Sequence, residues 1–224
     1  MIEPSPGTAC ISSAAFLAAH TRLGHAPLVP EIALHLAANA RNVFAAAHAA
    51  FGDGASQQPY WAFAWPGGQA LARHLLDTPQ DVAGRRVLDL GCGSGLLAIA
   101  AKLAGARAAL ANDIDPVAVA VTQANAVANG VAVTTSTDDL LGGAADADVI
   151  LIGDTFYLPE LQMRVNAFLE AARRRGATIL FADRTTIPRP PLPFTLLAER
   201  HVLLHPALQD DHVERVRVWR CGPA

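Results

Sequence analysis

Three aspartates stand at places where α/β proteins usually bind their ligands. Asp89 lies in the apolar run 87–90, and Asp113 and Asp154 each follow a later apolar run. In an open α/β sheet the ligand lies at the carboxyl ends of the strands, where the strand order reverses. Carboxylates at such ends can pair with a positive charge or accept hydrogen bonds, so the three aspartates are candidates for a ligand-binding site.

A glycine-rich turn follows the first of these runs. Its glycines, Gly91, Gly93 and Gly95, alternate with Cys92 and Ser94. Three alternating glycines let the backbone turn tightly and lie close to a ligand, because no Cβ fills the ligand's space. The turn therefore predicts a nucleotide-like cofactor, and the alternative is a tight strand-to-helix turn without a ligand.

The identity of the cofactor is narrowed by what the turn lacks. The dehydrogenase fingerprint needs glycine at position 96, where this chain has Leu96, and the Gly-Lys-Ser/Thr ending of a phosphate loop is absent. A carboxylate two positions before the first glycine, Asp89, suits a ligand with an ammonium group better than one with a pyrophosphate.

This motif resembles that of the class I, seven-strand, S-adenosylmethionine-dependent methyltransferases, and the resemblance covers roughly residues 60–220. It implies that Asp89 lies near the methionine amino group of the cofactor. It also implies that Gly91, Gly93 and Gly95 pass under the cofactor.

The same resemblance implies further cofactor contacts. Asp113 is expected to accept hydrogen bonds from the ribose hydroxyls, whereas Asp115 is also explained as a cap for the helix that follows it. Asp138 or Asp139 lies where the family usually contacts adenine, and we select Asp139. Trp65 is a further cofactor-binding candidate.

The segment after the run 149–152 carries the candidate chemistry. Nucleic-acid amino methyltransferases usually have Asn/Asp-Pro-Pro-Tyr/Phe here, whereas this chain has Asp154 and Tyr157 separated by two residues. That pattern resembles seven-strand enzymes that act largely on protein lysines. The closest likeness is to the electron transfer flavoprotein β-subunit lysine methyltransferases and their bacterial relatives. The blocks that carry it are 28–32, 39–44, 59–62, 65–71, 111–116 and 153–157.

The likeness implies a catalytic role for Asp154 and Tyr157. Methyl transfer from a sulfonium is an in-line displacement, so the protein mainly orients two groups. A lysine with a pKa of about 10.4 must be held as an ammonium and then lose a proton. Asp154 is expected to bind that ammonium, Tyr157 to add a hydroxyl contact or a wall, and Trp61 and Trp65 to flank the lysine stem or the cofactor. For the two tryptophans, plain packing is the alternative.

The elements that must position these residues follow from the pattern of the chain. From residue 85 onward, short apolar runs alternate with helical stretches, which indicates βαβ units and a parallel sheet. Strands are predicted at 86–90, 108–111, 131–135, 149–152, 178–181, 194–204 and 213–219, and helices at 69–77, 96–103, 117–127 and 161–174. The last two strands have no helix between them and predict an antiparallel hairpin.

The predicted fold is therefore α/β, with a Rossmann-like seven-stranded, mostly parallel sheet, a terminal antiparallel hairpin and an N-terminal helical cap. The first 50 or so residues are predicted to be helical. The predicted division is a cap at 1–58 and a methyltransferase domain at 59–224.

Composition excludes several classes of protein. The 224 residues are 52% hydrophobic and 17% charged, with a net charge of −3, unlike a disordered chain or a basic nucleic-acid binder. The chain contains no stretch of about 20 continuous apolar residues, so no membrane-spanning helix is predicted. The three cysteines, Cys10, Cys92 and Cys221, have no spacing that indicates a disulfide framework or a zinc site. A soluble, cytoplasmic enzyme without a metal or a membrane partner is expected.

The first hypothesis is thus methyl transfer from S-adenosylmethionine to a protein lysine, with the electron transfer flavoprotein β-subunit as target. After the strand at 178–181 the family usually has Asp-Pro-Gly-Arg, whereas this chain has Asp183-Arg184-Thr185, which leaves other targets open, such as a lysine of a ribosomal protein. A small-molecule N-methyltransferase would also suit the aromatic segment 60–65. A cofactor-binding domain without catalysis is the third reading, against which the intact Asp154 and Tyr157 argue.

Overall fold

The computed structural model describes residues 13–51, 58–143, 146–154, 159–184, 189–204 and 213–224. The helices are α1 (Ser13–His20), α2 (Ala40–Phe51), α3 (Pro66–Asp77), α4 (Leu96–Leu103), α5 (Pro116–Ala128) and α6 (Pro159–Arg174). The strands are β1 (Thr21–Ala26), β2 (Val29–Ala37), β3 (Arg86–Leu90), β4 (Ala108–Asn112), β5 (Thr134–Ser136), β6 (Val149–Ile152), β7 (Thr178–Arg184), β8 (Thr195–Leu203) and β9 (Val213–Cys221).

Seven strands form one sheet in the order β5-β4-β3-β6-β7-β9-β8. The first five strands in this order are parallel, whereas β9 runs antiparallel to both β7 and β8. The chain goes outward from β3 to β4 and β5, then returns to place β6 on the other side of β3. The strand order therefore reverses beside β3, which is where ligands bind in open α/β sheets. The predicted fold class, including the terminal hairpin, is confirmed.

The two faces of the sheet are covered by different elements. Buried side chains of α3, α4 and β2 pack together with one face, and those of α6 pack with the other. β6 is buried along its whole length, as expected for a central parallel strand with both faces covered. This arrangement leaves the carboxyl ends of β3, β4 and β6 together at one edge.

The N-terminal part corrects one prediction. Helices α1 and α2 are present, but residues between them form an antiparallel hairpin, β1 with β2, where only helix was predicted. In β2 the buried apolar residues Ile32, Leu34 and Leu36 occur at every second position. Alternation of this kind places side chains on one face of a strand, so the period was that of a strand and not of a helix.

Most of the remaining predicted elements agree with the structure to within a few residues. The predictions for β3, α4 and β6 match at both ends. The strand predicted at 131–135 is shorter and later, at Thr134–Ser136. The division into a cap and a methyltransferase domain stays a prediction. Among the described residues, no helix has the length and apolar character needed to cross a bilayer.

Candidate functional site

The glycine-rich turn between β3 and α4 adopts a backbone that only glycine takes up readily. Gly91, Gly93 and Gly95 have φ angles of 70°, 51° and 77°. A Cβ on Gly95 would lie 2.6 Å from the Thr122 Cγ2 atom, so α5 leaves no room for a side chain there. A Cβ on Gly93 would have Trp61 Cα as its nearest neighbour, at 3.8 Å. The turn is thus packed tightly against α5 at Gly95, whereas at Gly93 there is enough space for its backbone to approach a ligand.

Asp89 lies beneath this turn and stabilises the start of α4. It is 1% exposed, and its Oδ2 atom accepts a hydrogen bond of 3.0 Å from the backbone nitrogen of Ala98 in the first turn of the helix. Burial raises the pKa of Asp89 to about 7, and the negative charge of Asp113 adds to the rise. A cation bound beside Asp89 would offset both effects, which fits the ammonium expected from the sequence.

Asp113 connects the end of β4 to the glycine turn. Its Oδ2 atom accepts from the backbone nitrogen of Gly93 at 2.9 Å, and its Oδ1 atom accepts from that of Asp115 at 3.0 Å. Burial raises the pKa of Asp113. Asp115 caps α5 by accepting a 2.8 Å hydrogen bond from the backbone nitrogen of Val117, which confirms the capping alternative for this residue.

The structure separates the two aspartates that were considered for adenine. Asp139 is exposed, caps a short turn through the backbone nitrogen of Leu141 and forms a 2.7 Å ion pair with Arg164. That ion pair lowers the pKa of Asp139. By contrast, the carbonyl oxygen of Asp138 accepts a 2.9 Å hydrogen bond from the side chain of Asn112, at the end of β4. The contacts therefore favour the backbone at Asp138 over the Asp139 carboxylate as the part that borders the site.

Asn112 is a residue that the sequence reasoning missed. Its side-chain nitrogen also donates to the Ser136 carbonyl at 3.1 Å, and its own carbonyl accepts from the backbone nitrogens of Gly91 and Cys92, each at 2.9 Å. It thus joins the glycine turn to the end of β5. A polar residue at the end of an apolar run was the available signal.

The aromatic segment packs beside the glycine turn. Trp61 is 2% exposed and belongs to the core, which supports the packing alternative for this residue. Trp65 precedes α3, is half-buried, and donates from its indole nitrogen to the Tyr60 carbonyl at 2.8 Å. Its ring meets those of Tyr60 and Phe63 edge-on, with centroids about 6 Å apart. Trp65 therefore has a partly accessible ring held in one orientation.

Asp154 follows β6 and contacts the start of α3. Its Oδ2 atom accepts a hydrogen bond of 3.1 Å from the backbone nitrogen of Gly68, and its side chain is 9% exposed. A Cβ on Gly67 would lie 2.7 Å from this oxygen, and one on Gly153 would lie 3.4 Å from the Gly68 nitrogen. The glycines therefore allow β6 and α3 to come close enough for this contact. Burial raises the pKa of Asp154.

A cation faces the other oxygen of Asp154. The Arg184 Nε atom, at the end of β7, lies 3.6 Å from Asp154 Oδ1, and its terminal nitrogen lies 3.9 Å from a carboxylate oxygen of Glu214 on β9. The charge of Arg184 opposes the burial that raises the pKa of Asp154. The sequence reasoning noted Arg184 only as part of an unusual loop. Tyr157, the other predicted catalytic residue, lies outside the described residues.

Two asparagines, also missed, attach the N-terminal hairpin to the site: Asn125 in α5 and Asn129 directly after its last residue. The Asn125 side chain donates to the Ser94 carbonyl in the glycine turn and accepts from the His35 backbone nitrogen, both at 2.8 Å. One turn later, the Asn129 side chain binds both the backbone nitrogen and the carbonyl of Ala33. The side-chain amides of the two asparagines thus form hydrogen bonds with free backbone groups at the edge of β2, as a neighbouring strand would.

The site residues thus come from adjacent strands at one edge of the sheet. Asp89 on β3 is level with Ala111 on β4 and with Leu151 on β6, so Asp113 and Asp154 follow on either side of it. One group, Asp89 and Asp113 with the glycine turn, can hold a ligand that carries an ammonium and hydroxyls. The other group, Asp154 beside the start of α3, can hold a second cation next to it.

Comparisons with known proteins point to one group of enzymes. The model of the ribosomal protein L11 methyltransferase (PrmA) family matches residues 70–153. The electron transfer flavoprotein beta subunit lysine methyltransferase of Xenopus laevis is 41% identical over 171 residues, which cover 75% of this chain and 68% of that protein. The protein of the same name from Danio rerio is 48% identical over 128 residues, 56% of this chain and 50% of that protein.

The match thus spans half of the zebrafish relative and about two thirds of the frog relative. Among solved structures, magnesium protoporphyrin IX methyltransferase of Synechocystis with bound S-adenosylmethionine has a TM-score of 0.50 at 18% identity. The alignment covers 77% of this chain and 88% of that chain. At this identity the likeness concerns the fold.

Proposed function

The chain belongs to the electron transfer flavoprotein β-subunit lysine methyltransferase family, and on that premise we propose that it transfers a methyl group from S-adenosylmethionine to a lysine ε-amine of a protein. One observation carries the proposal. The carboxylate of Asp154 lies directly after β6, the strand next to β3, whose end carries the glycine turn and Asp89. A cationic cofactor and a cationic amine would therefore meet at neighbouring strand ends.

The residues present fit the cofactor. S-Adenosylmethionine supplies a methyl group activated by a sulfonium. Asp89 would attract its amino group, the turn of Gly91, Gly93 and Gly95 would lie under it, and Asp113 would accept from its ribose hydroxyls. Two features support this assignment: the left-handed glycines, and a buried carboxylate whose pKa of about 7 a bound ammonium would lower.

The ring of Trp65 and the backbone near Asp138 complete the proposed cofactor site. Trp65 is partly accessible and fixed by its hydrogen bond to Tyr60, so its face can border a flat or cationic group. Asp138 is connected to the end of β4 through Asn112. These contacts support replacing Asp139, whose carboxylate pairs with Arg164, by Asp138 as the residue nearest adenine.

Asp154 would bind the incoming lysine ammonium and align the amine after it loses a proton. The first turn of α3 already fixes one carboxylate oxygen, so the carboxylate has little freedom to turn away. Positioning of this kind provides much of the rate in a displacement whose leaving group is already activated. Tyr157 remains the proposed neighbour that completes the lysine site.

The proposed target is the β-subunit of electron transfer flavoprotein, as in the names of the relatives. A lysine of a ribosomal protein is the second candidate, since the L11 methyltransferase model matches residues 70–153. That match runs from within α3 to the end of β6 and includes Asp89, the glycine turn and Asp113, but none of β7, β8 or β9. It therefore supports the cofactor chemistry more than the target. The cytoplasmic location and the absence of nucleic-acid and membrane partners stay predictions.

The experiment is to incubate the protein and methyl-labelled S-adenosylmethionine with purified electron transfer flavoprotein and, separately, with a whole-cell extract, and to locate the label by mass spectrometry. We expect label on lysine of the flavoprotein β-subunit. Label on a lysine of another protein would refute the proposed target but would support the proposed methylation of lysine. Label only on small molecules or nucleic acid would contradict the proposed function.

The role of Asp154 is tested by Asp154→Asn, with Asp148→Asn at the opposite end of β6 as a matched control. Asp148 pairs with Arg86 at 2.9 Å, away from the carboxyl edge of the sheet. We expect Asp154→Asn to bind S-adenosylmethionine nearly normally in calorimetry while losing methyl transfer, and Asp148→Asn to keep both. Normal turnover in Asp154→Asn would refute the role of this carboxylate.

A further inference from the structure

The pair formed by Asp154 and Arg184 is close and buried but not hydrogen-bonded. The Nε atom of Arg184 and the Oδ1 atom of Asp154 are 3.6 Å apart, and both atoms are buried without a hydrogen-bond partner among the residues that the structure describes. Their side chains are 26% and 9% exposed. Buried charged groups are normally paired and hydrogen-bonded, because an unmade hydrogen bond leaves the cost of desolvation uncompensated.

The two oxygens of Asp154 therefore have different tasks. Oδ2 is bound to the backbone of Gly68, whereas Oδ1 keeps an unused capacity to accept a hydrogen bond. Arg184 is the cation that faces Oδ1, and it is also within 3.9 Å of Glu214. A guanidinium between two carboxylates can lean toward either of them with little change in its own charge contacts.

We propose that Arg184 is a positioning residue for methyl transfer. Before the substrate binds, Arg184 balances the charge of Asp154. When a lysine ammonium forms a hydrogen bond with Oδ1, the guanidinium shifts toward Glu214. This inference rests on the proposed function and adds to it how the lysine site is prepared. An ammonium has three donors and is small, so it can form at Oδ1 the hydrogen bond that the guanidinium lacks.

The first consequence concerns the free protein. Burial favours the neutral form of Asp154, and the groups that favour its charged form are Arg184 on β7 and the backbone nitrogens of Gly67 and Gly68 on α3. Glu214 on β9 acts in the opposite direction. Arg184 thus helps to keep the carboxylate ionised and ready for an ammonium.

The second consequence concerns the bound substrate. After it shifts toward Glu214, the guanidinium is still a like charge near the lysine ammonium, and a like charge lowers the pKa of an ammonium. The ammonium then releases its proton to water more readily, which leaves the neutral amine that the reaction needs. Asp154 attracts the cation, while Arg184 limits how strongly the proton is retained.

The test compares pH profiles of kcat/KM for the wild type, Arg184→Gln and Arg184→Lys, with the labelled protein substrate identified above. Loss of the guanidinium should move the acid limb of the Arg184→Gln profile upward by roughly one pH unit, because kcat/KM reports groups of the free enzyme and the pKa of Asp154 would then be higher. Arg184→Lys should keep the limb near its wild-type position. An unchanged limb in Arg184→Gln would overturn the inference.

Glu214→Gln provides a second variant with the opposite sign. Removal of its negative charge should lower the pKa of Asp154 and move the acid limb downward, which a merely structural role for this region would not produce. Arg217→Gln serves as the control, because Arg217 pairs with Asp183 and is expected to leave the limb unchanged. A limb that moves upward in Glu214→Gln would also contradict the inference.

A measurement without substrate separates this inference from the proposed function. The carboxyl carbon of Asp154 is titrated by NMR in the wild type and in Arg184→Gln, with the variant's fold checked by circular dichroism. We expect a higher pKa of Asp154 in the variant. If the pKa of Asp154 is equal in the wild type and in Arg184→Gln, the inference is overturned even if lysine is methylated. If the pKa is raised in the variant but the wild type labels no lysine, the charge pair is supported and only the proposed function is refuted.

Discussion

The Oδ2 atom of Asp154 lies 3.1 Å from the backbone nitrogen of Gly68, although the two residues are 86 positions apart in the chain. The contact connects the end of β6 with the first turn of α3, just after the aromatic segment that contains Trp65. A carboxylate at a helix N-terminus is stabilised by the free backbone N–H groups there. The same relationship recurs for Asp89 with α4 and for Asp115 with α5. Each of these aspartates therefore has a structural task besides any role toward a ligand.

Gly67→Ala should displace the Asp154 carboxylate. Alanine in a helix is normally favoured over glycine by about 1 kcal/mol. At Gly67, however, the new Cβ would lie 2.7 Å from the Oδ2 atom of Asp154, so we expect lower stability and a loss of methyl transfer. Gly68→Ala is the control, since its Cβ would have an ordinary 3.7 Å contact with Leu96. Urea unfolding and a methylation assay measure both effects, and equal behaviour of the two variants would contradict the prediction.

The affinity for S-adenosylmethionine should rise with pH below about 7. Since burial raises the pKa of Asp89 to about 7, the free protein holds this group protonated under mildly acidic conditions. A bound ammonium favours the ionised form of Asp89, so binding releases a proton from this group. Each pH unit below about 7 should therefore weaken the affinity by at most roughly tenfold. Asp89→Asn should flatten this dependence in calorimetry between pH 5.5 and 7. Asp139→Asn, with its exposed partner Arg164, should retain it. A slope that survives in Asp89→Asn would show that another group is responsible.

The stability of the free protein should change in the opposite direction over this range. Because the pKa of Asp89 in the folded protein lies above its ordinary value of 3.8, the stabilisation linked to this group is present at low pH and is lost as the pH rises toward 7. We therefore expect Asp89→Asn to gain stability relative to the wild type between pH 4 and pH 7. Thermal unfolding at a series of pH values checks this, and a constant difference between the two proteins would exclude it.

Asn112→Ala should loosen the border of the cofactor site. The Ser136 and Asp138 carbonyls would each lose a donor, and because both contacts are only part-buried we expect a cost near the net value of one hydrogen bond each, about 0.5–1.5 kcal/mol. Binding of S-adenosylmethionine should weaken together with stability. In Asp139→Ala an exposed ion pair and the hydrogen bond from the Leu141 backbone nitrogen are removed, and binding should remain close to normal. A stronger effect on binding from Asp139→Ala than from Asn112→Ala would restore Asp139 as the adenine-side residue.

Asn125→Ala and Asn129→Ala should release different parts of β2. Hydrogen exchange at the His35 amide should accelerate in the first variant, and exchange at the Ala33 amide in the second, since each amide loses its acceptor. Only Asn125 also binds Ser94 in the glycine turn, so only its variant should weaken cofactor binding. If neither amide changed its exchange rate, the proposed attachment of the hairpin through α5 would be wrong.

Much of the fold was predictable because its information is local. The alternation of apolar runs and helical stretches after residue 85 predicted β3, α4 and β6 with their ends, and the glycines predicted the turn between the first two. The hairpin of β1 and β2 was not predicted. Its short alternating pattern stands next to true helices, and the free backbone groups at its edge bind side chains in and directly after α5, about 90 residues away.

For the site, the sequence by itself determined which residue types stand at the strand ends: Asp89, Asp113 and Asp154, with glycines beside the first. Only the tertiary structure decided what each carboxylate touches, because those partners come from distant parts of the chain. Arg184 and Gly68 approach Asp154 from β7 and α3, and Arg164 holds Asp139. The chemistry of a carboxylate depends on such neighbours, since burial and nearby charge set its pKa and its free hydrogen-bonding capacity.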